Sequence, residues 1–147
     1  MTAIATTMGV LVTSWFILIQ RFDRWRAMAP TIELSARRQG QHTLAELWVT
    51  NNRSETIRVH EVKARPPVRL YAALQTGYSG WWEPSPVAVA VLEAGFMIHP
   101  SKEANWQFFL SWPDSRQRPV PIRISTSCAS LPERRKWLTA LITHPSR

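Results

Sequence analysis

From Thr31 onward apolar and polar residues alternate along most of the chain, and ahead of it they do not alternate at all. A period of two marks strands that bury one face. TIELSARRQG at 31–40 puts Ile32, Leu34 and Ala36 on one side, residues 39–41 read as a turn, and HTLAELWVT answers with Ala45, Leu47 and Val49 as an antiparallel partner. Residues 51–55 are a polar turn. TIRVHEVKA begins in phase at Ile57 and Val59 but continues out of phase at Val62 and Ala64. One extra residue near His60-Glu61, a bulge, restores the inward face. VRLYAAL at 68–74 is a further strand, and TGYSGWWEPSP at 76–86 reads as a long loop carrying aromatic rings. VAVAVLEAG is a short apolar run that fits a strand or a short helix, and is read as a strand through Val87, Val89 and Val91, with another short one at 96–98. NWQFFLSWP has the clearest alternation, through Trp106, Phe108, Leu110 and Trp112, and VPIRIST aligns Val120, Ile122 and Ile124. These two are expected to form a hairpin across DSRQRP. Pro121 cannot donate to a ladder, so its strand is expected at a sheet edge, or with the missing donor turned outward. The pattern then changes. SLPE at 130–133 has capping-box spacing with Pro132 in the first turn, which predicts a short amphipathic helix to about Thr143.

The non-alternating beginning, AIATTMGVLVTSWFILI at 3–19, has no formal charge, and the first charged side chain is Arg21. As a helix it spans roughly 25 Å, close to the roughly 30 Å hydrocarbon core once residues 20–22 are added. An export signal should open on basic residues and close on small ones, whereas this run ends in WFILIQRFDRW. The expectation is a retained transmembrane anchor with its juxtamembrane helix at 1–29, ended by Ala29-Pro30, and a separate domain at 30–147. Arg21, Phe22, Arg24, Trp25 and Arg26 form the membrane-interface border. Basic residues follow the span and none precedes it, which predicts the N-terminus outside and the C-terminal domain in the cytoplasm.

The run LAELWVTNNRSETIRVHEVKA at 44–64, an alternation ending in Val-x-Asn followed by Ile-x-Val, is similar to the strand, polar turn, strand pattern of immunoglobulin-like β-sandwiches. The Cys pair and intervening Trp of antibody domains are absent, so the resemblance implies a sandwich and no ligand. Small bacterial and phage-borne proteins with one N-terminal span and one such sandwich look like this chain. The expected fold is mainly β: an N-terminal transmembrane helix, an antiparallel immunoglobulin-like sandwich of roughly seven strands over residues 31 to about 126, and a short C-terminal helix.

Charge adds a direction to this picture. Eighteen basic residues against ten acidic ones give a formal net charge of +8, which favours anionic partners such as lipid headgroups or nucleic acid. The single Cys128 cannot form an internal disulfide, and His42, His60, His99 and His144 lack metal-ligand spacing. GYSGW at 77–81 falls short of a nucleophile elbow because Trp81 stands where the second Gly belongs, and Asn52-Arg53-Ser54 reads as a chance glycosylation match. Cys128 reads as a small buried thiol. No cofactor is implied. Tyr78, Trp81 and Trp82 beside Arg69 are read first as rings folded back over the sandwich; exposed, they are candidates for partner binding, ahead of stacking on single-stranded nucleic acid. Arg134, Arg135, Lys136 and Trp137 are candidates for a membrane-surface helix, with packing against the edge of the sandwich as the commoner fate of so short a helix. Together these features predict a non-enzymatic, membrane-anchored interaction module or small subunit of a membrane-associated assembly with a protein partner. The alternatives are a membrane-tethered nucleic-acid-binding protein and a virion- or prophage-associated structural module.

Overall fold

The computed structural model describes residues 13–21, 29–76, 81–111, 118–143 and 145. Nine strands follow one another in these residues: β1 (Thr31–Gln39), β2 (His42–Thr50), β3 (Ile57–Ala64), β4 (Arg69–Thr76), β5 (Trp81–Pro84), β6 (Val91–Ile98), β7 (Glu103–Ser111), β8 (Val120–Cys128) and β9 (Leu131–Ile142). They form two antiparallel sheets. Sheet A has the order β1-β2-β7-β4-β5 and sheet B the order β6-β3-β8-β9. Inward rows from both sheets meet in one core, with Leu47, Leu70, Phe108 and Leu110 from sheet A against Val59, Val62, Ile122 and Ile124 from sheet B. Burial of such rows is the main favourable term in folding, so the alternation seen in the sequence is what selects the two-layer architecture.

The first hairpin closes on Gly40, whose φ of 61° supplies the positive angle required at the first position of a two-residue connection. Between β2 and β3 the chain steps from sheet A to sheet B, so the stretch that resembles immunoglobulin-like sandwiches joins the two layers. The bulge in β3 falls where the phase change requires it. Val59 pairs with Thr126 and Glu61 with Ser125, leaving His60 as the extra residue against β8. On the other side, His60 alone stands opposite Ala94 and Gly95 of β6, and Gly95 takes the left-handed φ of 67° that such a bulge uses.

Several expectations are corrected. The β7 and β8 segments do not form a hairpin: β7 lies between β2 and β4, and β8 between β3 and β9. Both carry strong apolar rows, and a sandwich buries two such rows face to face rather than edge to edge. β8 is therefore not an edge strand, and Pro121 is accommodated because the β3 ladder stops at Ala64↔Ile122, one residue before it. Residues 91–98 make one continuous strand, while Val87 is exposed and Val89 makes only an isolated bridge to Leu70. Residues 81–84 of the expected aromatic loop are strand β5; residues 77–80, with Tyr78 and Ser79, lie outside the described residues, as does Trp112.

The expected C-terminal helix is a strand. Ala129 and Ser130 turn the chain, and β9 pairs along β8 from Cys128↔Leu131 to Val120↔Ile142. β8 turns Val120, Ile122 and Ile124 to the core and needs a partner on its second side; β9 satisfies those backbone groups and brings Ala140 and Ile142 onto the core. A helix this short is marginal by itself, so the tertiary demand overrides the local capping signal. The ladder slips between Thr126↔Lys136 and Cys128↔Leu131, in the interval that contains Pro132, which has no N–H to give.

At the N-terminal side, residues 13–21 are helical and exposed throughout. These nine helical residues cover roughly 14 Å at 1.5 Å per residue. Among the described residues no helix is long and apolar enough to cross a membrane. Residues 3–12 of the expected span, and 22–28 of its flank, lie outside the described residues.

Candidate interaction surfaces

The N-terminal segment joins the sandwich at one end, and two neighbouring asparagines fix that junction. Asn52 Nδ2 donates to the Ala29 carbonyl at 3.0 Å and to Thr31 Oγ1 at 2.7 Å. The fully buried Asn51 donates through Nδ2 to the carbonyls of Glu55 and Ile98, and its Oδ1 accepts the Arg53 N–H. Its backbone closes the same corner, taking Ser101 N–H on its carbonyl and giving its N–H to Lys102. Beside it Arg53 Nη1 approaches Cys128 Sγ at 2.9 Å, so the basic neighbour of the half-buried Cys128 comes from 75 residues away in sequence. A cleft of about 460 Å³ opens here between Ala29, Pro30 and the β8–β9 turn, with Arg53, Arg134 and Lys136 on its walls.

The second surface is the β4–β5 arm. β4 pairs with β7 only from Arg69 to Ala72, and with β5 from Ala73 to Thr76. In a flat sheet β1 and β5, four places apart, would lie roughly 19 Å from each other. Gln39 Nε2 nonetheless donates to the Trp82 carbonyl at 2.8 Å. The arm therefore leaves the plane and turns back across the outer face of sheet A. This is the face on which Leu44 and Phe109 point away from the core yet are buried, with His42 packed edge-on against Tyr71 and Phe109. The arm's two faces differ: Trp82 and Pro84 are half-buried, whereas Trp81 and Leu74, which share the opposite face, are 68% and 46% exposed.

The third surface is the outer face of sheet B, where Trp137 covers the fully buried Ser125 directly across the ladder. Lys63 Nζ lies 4.6 Å and Arg123 Cζ 4.9 Å from its ring centroid. Glu61 is shared by Lys63 at 3.1 Å and Arg135 at 3.9 Å. Next to them His60 Nε2 and Ser127 Oγ are hydrogen-bonded at 2.7 Å. Burial, and then the positive Arg135 and Arg58, hold the His60 imidazole below its ordinary pKa against the opposing pull of Glu61.

The residues singled out from sequence are thus dispersed. Arg21 is the last described residue of the exposed helical stretch; Phe22, Arg24, Trp25, Arg26 and Tyr78 lie outside the described residues. Arg69 pairs with Ser111 at the start of β4, whereas Trp81 and Trp82 pair with Thr76 and Gln75 at the other end of that strand. Arg134, Arg135, Lys136 and Trp137 lie on β9 rather than on a helix, with Arg134 and Lys136 at the N-terminal junction and Trp137 on the outer face of sheet B. The partners of Trp137, Lys63 and Arg123, were missed because only strand register brings them together.

Among solved structures, similar folds are those of Spo0M, a sporulation control protein from Bacillus subtilis (TM-score 0.44, 11% identity, covering 81% of this chain and 50% of that one), and a FixG-related protein from Vibrio parahaemolyticus (0.41, 13%, 78% and 94%). A third is the ASH / PapD-like domain of human CEP192 (0.43, 10%, 77% and 81%). This chain spans about half the length of Spo0M. No family model and no curated protein matches the sequence.

Proposed function

We propose that the chain is a non-enzymatic interaction module, anchored in a membrane by its N-terminal segment with the N-terminus outside and the sandwich in the cytoplasm, and contacting a protein partner through the β4–β5 arm. The observation that carries this reading is the contrast between the two parts of the molecule. The sandwich encloses its own apolar rows, whereas the five consecutive apolar side chains from Trp15 to Ile19 are each at least 42% exposed on their helix. Such a stripe requires cover, and the uncharged run that contains it is suited to a bilayer. The basic border from Arg21 onward orients it. On the arm, Trp81 and Leu74 present an apolar, aromatic surface of the kind enriched in interface centres.

The test is localisation of the unmodified chain carrying reporters after Arg147. The protein should sediment with membranes and resist extraction by high salt, a cytoplasm-dependent reporter should be active, and an export-dependent one silent. Recovery in the soluble fraction overturns the anchor, and an active export-dependent reporter overturns the orientation.

A further inference from the structure

We propose that Lys63, Arg65 and Arg123 form a binding site for the phosphate group of a small phosphate ester. Lys63 and Arg123 are direct cross-strand partners, and Arg123 is in turn opposite Thr139, so two cations and a hydroxyl lie in one row on the outer face of sheet B. Arg65 follows two residues after Lys63 and borders the same hollow of about 530 Å³, together with Ala64 and Pro121. Like charges set directly opposite each other weaken a sheet. Trp137 offsets part of that repulsion by offering its ring to both cations, and it also fixes where they stand. Glu61 neutralises the Lys63 side only, and among the described residues neither Arg65 nor Arg123 has a carboxylate partner. A phosphate dianion placed in the hollow would turn the repulsion into attraction, with two guanidinium forks, one ammonium and the Thr139 hydroxyl as donors.

The size and place of the hollow select the kind of ligand. Its volume falls in the range of small-molecule sites, and its three cations border a single hollow, whereas a nucleic-acid backbone needs a basic groove to track along. It also sits at the end of β3 remote from Ile57, roughly 23 Å along the strand from the N-terminal junction, which sets it away from a bilayer reached through that junction. The site itself does not depend on the anchor.

The test uses the full-length protein in neutral detergent, titrated with inorganic pyrophosphate at low salt while the Trp137 indole N–H resonance is followed. That resonance is assigned by its loss in Trp137→Phe. The expected result is a saturable shift that weakens about tenfold or more in Arg123→Gln and in Arg65→Gln, the loss of one charge-assisted contact, and that is unchanged in Arg38→Gln on sheet A. Arg65 lies beyond the last paired residue of β3, so its variant keeps the fold if Arg123→Gln does not. No saturable shift, equal weakening in Arg38→Gln, or binding to a single-stranded oligonucleotide or to anionic vesicles in place of pyrophosphate would each overturn the proposal.

Discussion

Asn51 shows how much a single side chain can hold when it is buried where the two sheets meet. Its amide gives both protons to main-chain carbonyls and its oxygen takes a main-chain N–H, so no part of it is idle. The carbonyl it meets at Ile98 ends β6 of sheet B, while Asn51 itself directly follows β2 of sheet A. Replacement by Ala removes both donors and leaves buried acceptors without partners, a loss of about 2–4 kcal/mol since each such group costs about 1–3. Asn51→Asp keeps the volume but sets a carboxylate against two carbonyl oxygens, and should be at least as damaging. Urea unfolding of the two variants measures this, and a loss below about 0.5 kcal/mol in both would show that the corner does not depend on Asn51.

At the scale of elements, β9 separates two readings of the same residues. In a helix Leu141 and Ile142 would both belong to the apolar stripe, whereas in the strand Ile142 is buried in the core and Leu141 is 63% exposed. Ile142→Ala should therefore cost about 2–5 kcal/mol and Leu141→Ala less than about 0.5. Equal losses would return the segment to a helix. The alternation of β1, β2, β7 and β8 was legible because each turns one apolar row toward the core. The β3 bulge was legible because Val59 and Val62, three residues apart, cannot share a face of an unbroken strand. Sheet membership was not, because β7 and β8 are neighbours in sequence and nothing local states that their rows, Phe108 and Leu110 against Ile122 and Ile124, meet across the core. β9 was misread for the opposite reason, a strong local signal at SLPE overruled by the needs of a strand made elsewhere. The candidate surfaces follow the same division: Trp81 was visible as an unpaired aromatic, while the Lys63, Arg123 and Trp137 group exists only once register is known.

The molecule as a whole has two ends with different tasks under the proposed anchoring. The N-terminal segment, the Asn51 corner, the β8–β9 turn, Arg53, Arg134 and Lys136 gather at one end. The phosphate hollow lies at the other, and the Gln39 bond draws the β5 arm toward that end as well. Strands running from one end to the other set these regions roughly 23 Å apart along β3. A bilayer rich in anionic headgroups attracts the cations of the near end, so the sandwich should stand on the membrane with its strands steep to the surface and its far end free. Single labels placed by Leu131→Cys and by Arg65→Cys, each with Cys128→Ser so that the Arg53 guanidinium keeps an acceptor, report this directly in reconstituted vesicles. A quencher carried on lipid headgroups should reach the label at 131, which sits opposite Cys128 in the ladder, and leave the label at 65 largely unquenched. Equal quenching at both would mean that the sandwich lies flat, which would press one of its faces against lipid and withdraw that face from any cytoplasmic partner.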